Sequence, residues 1–245
     1  MQHIVNDRPE AVRTPVARRM RRVAAGIGLL GFTALLVPQA IINPTGSATF
    51  QEAADRHPDG LYWSGLLLLA SALLTFPAIG GILHQARDRG ALVANIGAVV
   101  AALGALGHAA IGSINLVMRS LAGGDPAAMR AVEERFLTDI PVGVVGLTLL
   151  MSFGIGIALL AWAAWRAGII GLWGPVVVTG VVVAHTVLPE DVPAVAPAIA
   201  LVLTAVVFGR LGVRTLLLPA AAWEGRPAAT PPQPETSPAS GTVHR

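Results

Sequence analysis

Six stretches of the chain are almost continuously apolar, at about 23–42, 61–83, 91–118, 140–165, 169–187 and 192–218, with polar segments between them. A hydrocarbon core about 30 Å thick requires roughly 20 apolar helical residues to cross it. The pattern therefore predicts an all-α membrane protein built as a six-transmembrane-helix bundle. The third stretch is longer than one crossing needs, which predicts a tilt or a projection beyond the interface. Only His108 and His185 are ionisable well within a stretch, and Arg210 and Arg214 stand at the end of the sixth.

The segments between and around the stretches carry their own signals. Thr49-Phe50-Gln51-Glu52 has capping-box spacing, which predicts a short helix running to about Arg56 and stopping before Pro58. Asp125-Pro126 pairs an N-cap with proline at the first helical position. Met129, Val132 and Phe136 then share one face opposite Arg130, Glu133 and Glu134, the pattern of an amphipathic helix that lies on a membrane or covers a bundle. Arg18, Arg19, Arg21 and Arg22 precede an apolar run without a clear cleavage site, so an uncleaved first helix is expected. Residues 1–22 form a basic arm, 23–218 the transmembrane domain, and 219–245 a tail with six prolines and few large apolar residues. Such a tail buries too little surface to offset its ordering entropy and is expected to be disordered.

Composition narrows the class. Of 245 residues, 54% are apolar and 13% charged, against about a quarter charged in soluble domains. Mean hydropathy is +0.66. A soluble enzyme is excluded on this count. The chain has no Cys, which removes disulfides, thiolate metal sites and thiol nucleophiles, and all 17 basic residues are Arg, which removes Schiff-base chemistry. The pI near 10.9 accompanies a net charge of only +3, so nucleic acid is not an expected partner.

Sorting the charges by side orients the bundle. With six crossings, one side holds the first arm, 84–90, 166–168 and everything from Arg210 onward. That side has 13 Arg and five acids, and the other has four Arg (Arg56, Arg119, Arg130, Arg135) and nine acids. Basic residues near helix ends favour the cytoplasm, so both termini are expected there. Trp162, Trp165, Trp173 and Trp223 fall near the cytoplasmic ends, and Tyr62 and Trp63 near the outer end, the positions of headgroup-layer markers.

Small residues predict which helices approach closely. Gly97, Ala101, Ala105 and Ala109 recur every four residues, beside a ridge of Gly104, His108 and Gly112, so the third helix is expected at the centre of the packing. Gly154 and Gly156 in the fourth stretch, and Gly171, Gly174 and Gly180 in the fifth, mark further approaches. Pro38, Pro77, Pro175 and Pro197 lie inside expected helices, and Thr75 with Gly80-Gly81 around Pro77 makes the second helix the one expected to bend. At an offset of 77, Arg89 matches Arg166, Gly97 matches Gly174 and His108 matches His185, a weak parallel repeat that would place both histidines about 28 Å beyond their arginines.

The candidate chemistry is confined to one cluster. His108, His185, Glu190, Asp191 and Asn115 would stand near the outer rim, with Ser113, Asp55, His57 and Asp59 within reach. Ionisable residues inside membrane spans carry a functional hypothesis, here proton relay, metal binding or pH sensing. Interhelical hydrogen bonding by neutral imidazole is the plainer role, and no His-x-x-x-His spacing is present. No nucleotide-binding loop, nucleophile elbow or dinucleotide fingerprint is found, and neither a catalytic residue nor a cofactor is assigned. A non-catalytic accessory, sensor or assembly role is expected, with a small transporter or an intramembrane metal or redox protein using His108 and His185 as the alternative. Membrane lipids, a second copy of the chain or another membrane protein are the expected partners.

Two motifs carry a family resemblance, Val23-Ala24-Ala25-Gly26-Ile27-Gly28 after the Arg-rich start, and the aromatic-Arg-x-Gly turn Trp165-Arg166-Ala167-Gly168 with Trp173 opening the next helix. Over about 21–218 the chain resembles uncharacterised six-helix integral membrane proteins of high-GC Gram-positive bacteria. The resemblance implies topology and a bacterial plasma-membrane location, and no activity.

Overall fold

The computed structural model describes residues 15–42, 50–120, 123–138, 140–187 and 195–224, and every element among them is helical. In chain order these are α1 (Pro15–Ala34), α2 (Leu36–Ile42), α3 (Phe50–Arg56), α4 (Pro58–Gln85), α5 (Ala91–Ser120), α6 (Pro126–Thr138), α7 (Ile140–Arg166), α8 (Trp173–Val187), α9 (Val195–Leu217) and α10 (Ala220–Trp223). Five segments are long and apolar enough to cross a membrane: Val16–Ile42, Pro58–Gln85, Ala91–Ser120, Val144–Arg166 and Ile199–Leu217.

The fifth apolar stretch is where expectation and structure part. Its helix, α8, has 15 residues and a length of about 22 Å, short of the hydrocarbon core. The cause is a Schellman ending on α7. Gly168 takes a φ of +72°, its N–H donates to Trp165 O at 2.8 Å, and the Ile169 N–H reaches back to Ala164 O at 2.9 Å. The chain then runs from a buried Ile169 to Leu172 before α8 starts.

The long helices close on one another. α1, α4, α5, α7, α8 and α9 each pack against their neighbours in that order, and α9 returns to α1. The interior is filled. Phe32 of α1 meets Phe208 of α9 edge-on at 4.9 Å and Phe153 of α7 at 6.3 Å, and Leu68, Ala98 and Val178 complete the core from α4, α5 and α8.

On α5 the small side chains face inward and the large ones outward. Ala94, Gly97, Ala101, Gly104, Ala105 and Gly112 are buried, whereas Leu92, Ile96, Val99, Leu103 and Leu106 are exposed. Water would drive the opposite arrangement. Lipid tails are as apolar as Leu, so in a membrane the large side chains lose nothing outside and the small ones allow backbone contact. A methyl group at Gly104 would lie 2.6 Å from Phe153 Cβ and closer still to its backbone, and one at Gly156 would lie 2.7 Å from Ala101 Cβ. Gly65 of α4 and Gly112 of α5 face each other, each Cβ position within 2.8 Å of the other's carbonyl oxygen. Gly212 of α9 stands as close to Gly26 O of α1. The expectation of a closely contacted third helix holds for α5, which packs on both α4 and α7.

The prolines divide by position. α4 runs unbroken through Pro77, and the interruption falls instead at Leu35, between α1 and α2. Pro38 explains it, because its ring displaces the carbonyl four residues earlier, that of Ala34, and it has no N–H to donate there. Gly28 of α1 packs closely on the turn that contains Pro77: a Cβ there would lie 2.6 Å from Ala78 N, 2.8 Å from Leu74 O and 3.0 Å from Pro77 Cγ. Pro175 and Pro197 sit in the first turns of α8 and α9, where a missing N–H costs no helical hydrogen bond.

The short helices follow the cap signals. α3 ends at Arg56, which pairs with Glu52 at 2.8 Å, and α4 starts directly with Pro58 at its N-terminus. The Asp125 carboxylate accepts the Ala127 N–H at 3.0 Å and starts α6, which rests on α3 and α7. Thr49 and the side chains of Met129 and Phe136 lie outside the described residues. α1 begins within the expected basic arm, and α10 lies within the segment expected to be disordered. Residues 1–14 and 225–245 lie outside the described residues.

Candidate functional site

Of the five residues in the expected histidine cluster, only His108 and Asn115 have described side chains. His108 is 8% exposed on α5, with its ring 4.0 Å from that of Phe153, and its Nδ1 has no hydrogen-bond partner among the described residues. Asn115, two turns on, turns to another neighbour: its amide donates to Ser64 Oγ of α4 at 3.1 Å. Gln39 of α2 donates to the same oxygen at 3.1 Å, so a fully buried Ser64 ties three helices. Asn115 is thus a packing residue, held in a node that the sequence did not reveal because its members lie 25 and 51 positions apart.

The side chain of His185, and Glu190 and Asp191 entirely, lie outside the described residues. The backbone nevertheless alters the expectation of equal depth. α5 starts two residues after Arg89, but α8 starts seven after Arg166, so His108 is about 26 Å along its helix and His185 about 18 Å along its own. The offset of 77 matches residues without matching helix starts. Among the described residues no three His, Cys, Asp or Glu side chains gather where they could hold a metal.

A different site stands at the opposite end of the bundle. There the start of α1, the end of α4, the α4–α5 turn and α10 enclose a groove of about 480 Å³. Arg18 and Arg21, one turn apart on α1, form one wall, and Arg87 and His84 another. Ala24, Ala25 and Pro77 supply an apolar part of the lining, and at the exposed Gly80 of α4 a Cβ would meet nothing within 4 Å.

The segment after Pro219 closes this groove. Arg18 pairs with Glu224 at 2.6 Å, and Arg87 donates to Glu224 O at 2.9 Å. His84 Nε2 lies 2.6 Å from Trp223 O, and an Arg87 nitrogen sits at the edge of the same ring, 3.1 Å from Nε2 and 3.3 Å from Nδ1. The Trp223 ring lies against His84 at 4.2 Å and is only 7% exposed. Trp223 is therefore a packed anchor rather than the interfacial marker its position suggested. Arg22 donates to Leu218 O, and Arg214 to Ile169 O, which gathers further arginines at the same end. Arg21 has no ion-pair or hydrogen-bond partner among the described residues.

The sequence signals for this groove were present as separate features: the Arg pairs that fall in the first turns of α1, Gly80-Gly81, and a lone Trp after the last long helix. Only the return of α9 to α1 joins them. No protein-family model, curated protein or solved structure matches the chain.

Proposed function

We propose that the chain is an integral membrane protein that crosses the bilayer six times, with α8 as a short fifth crossing and both termini in the bacterial cytoplasm, and that it serves as a non-catalytic accessory, sensor or assembly subunit. The observation that carries this reading is the convergence of arginines at one end of the ring. Arg18, Arg22, Arg87 and Arg214 all make contacts there, and the backbone oxygen of Ala163, near Arg166 at the end of α7, lies beside Gly90. At the other end Arg119 stacks over Tyr62 at 5.0 Å, and Asp55 accepts the Gly123 N–H at 3.1 Å. An even number of crossings brings the two termini to one side, and the excess of arginine makes that side the cytoplasm. The packed aromatic interior supports a structural role over a solute path.

The absence of native cysteine makes a direct test available, since an introduced thiol is the only one. Asp88→Cys and Gly168→Cys should react with a membrane-impermeant maleimide only after cells are permeabilised, and Ser120→Cys and Ala128→Cys in intact cells. Labelling of Gly168→Cys on the same side as Ala128→Cys would remove one crossing and the topology with it.

A small transporter or a metal or redox protein is the second reading, and what favours it is buried His108, whose Nδ1 has no hydrogen-bond partner among the described residues. His108→Asn with His185→Asn should then abolish a transport or metal-dependent activity while the protein stays folded. Retained activity in the folded double variant would dismiss that reading.

A further inference from the structure

We infer that the groove between α1, α4 and α10 binds the phosphate of one anionic phospholipid, with α10 as its fixed wall. Three features point to this. The first is charge: Arg18, Arg21 and Arg87 against Glu224 leave a formal +2 in a partly enclosed space. A guanidinium presents its N–H groups in a planar fork that matches phosphate oxygens, and Arg21 has no partner among the described residues to occupy that fork. The second is shape. Gly80 is exposed on the α4 side of the groove and carries no side chain, beside the apolar Ala24, Ala25 and Pro77, so a headgroup held at the arginines has an open place for its glycerol and upper acyl carbons. The third is position, at the end of the ring where arginines outnumber acids and where the cytoplasmic leaflet carries its anionic lipids.

The choice of a lipid over a soluble anion rests on the membrane reading proposed above. A diffuse basic surface would attract the same lipids without choosing a place. What separates the two is the open place at Gly80, which bears no charge and matters only if something sits in it.

The test uses the purified full chain in a neutral detergent, with native mass spectrometry counting bound lipid. Phosphatidylglycerol should bind as one molecule per chain, and phosphatidylcholine at least about tenfold more weakly. Arg21→Gln should weaken phosphatidylglycerol about tenfold, the effect of losing one charge-assisted contact. Gly80→Leu should abolish the single bound lipid without changing any charge. Undiminished binding in a folded Gly80→Leu protein would mean diffuse attraction and overturn the site. Equal binding of phosphatidylcholine, or displacement of phosphatidylglycerol by an equal concentration of inorganic phosphate, would overturn the lipid assignment. Should Gly80→Leu fail to fold, Arg21→Gln is read against Arg19→Gln, an exposed arginine of α1 that does not line the groove: equal weakening by both would mean diffuse attraction and overturn the site. Binding in detergent is read without regard to orientation, so a failed topology in the maleimide experiment and a failed site here are distinguishable.

Discussion

The contact of α7 with α5 and its contact with α8 are built on different principles. Against α5, Gly156 meets Ala101 and Gly104 meets Phe153 so closely that neither position has room for a methyl group. Against α8, a Cβ at Gly154 would lie 3.3 Å from a Val182 methyl group, tight but against a side chain rather than backbone, Trp162 Nε1 donates to Thr179 Oγ1 at 3.0 Å, and Gly180 faces open space. The first contact draws its stability from dispersion between backbones, which falls off within a fraction of an ångström. The second depends on side chains that have alternative rotamers. One ring therefore contains a rigid half, α1 with α4, α5 and α7, and a short helix held more loosely at its side.

The largest break in that comparison comes from Gly156→Ala. It should destabilise by about 2–3 kcal/mol, because the new methyl group meets backbone that cannot move aside. Thermal unfolding in detergent, followed by circular dichroism, reads the loss. An unchanged midpoint would mean that the α5–α7 contact yields as easily as a side-chain contact.

Ser64→Ala probes the rigid half by a polar route. Removing the shared acceptor leaves the Gln39 and Asn115 amides without it, at about 1 kcal/mol, in line with hydrogen bonds between membrane helices. In a double-mutant cycle with Asn115→Ala the two effects should be less than additive. Full additivity would show that Asn115 owes nothing to Ser64.

The smallest effect is expected at Gly180. Gly180→Ala should be neutral, or stabilising by about 0.5 kcal/mol, since the methyl meets nothing and the unfolded chain loses freedom. A destabilisation equal to that of Gly156→Ala would reveal a partner on α8, and a parallel change in oligomeric state by light scattering would identify it as a second copy.

Much of this architecture was legible along the chain. The apolar stretches became helices, the repeat of Gly97, Ala101 and Ala105 became the packing face of α5, and the Asp125 cap started α6. The misreadings have separate causes. Apolar character does not distinguish helix from turn, so Ile169–Leu172 was expected inside a helix that the Schellman ending at Gly168 delays. The composition of the tail described its average and concealed Trp223, whose burial depends on His84, 139 residues away.

The sequence by itself determined that this protein belongs with lipid, where its helices lie, and which faces are small enough to touch, because hydropathy and side-chain size are local properties. The order of the ring, the meeting of Gly65 with Gly112, the node at Ser64 and the arginine-lined groove were decided by tertiary structure alone. Each requires residues far apart in the chain to come within a few ångströms. That distance is set by how closely glycine lets two backbones approach, and not by any pattern in either helix.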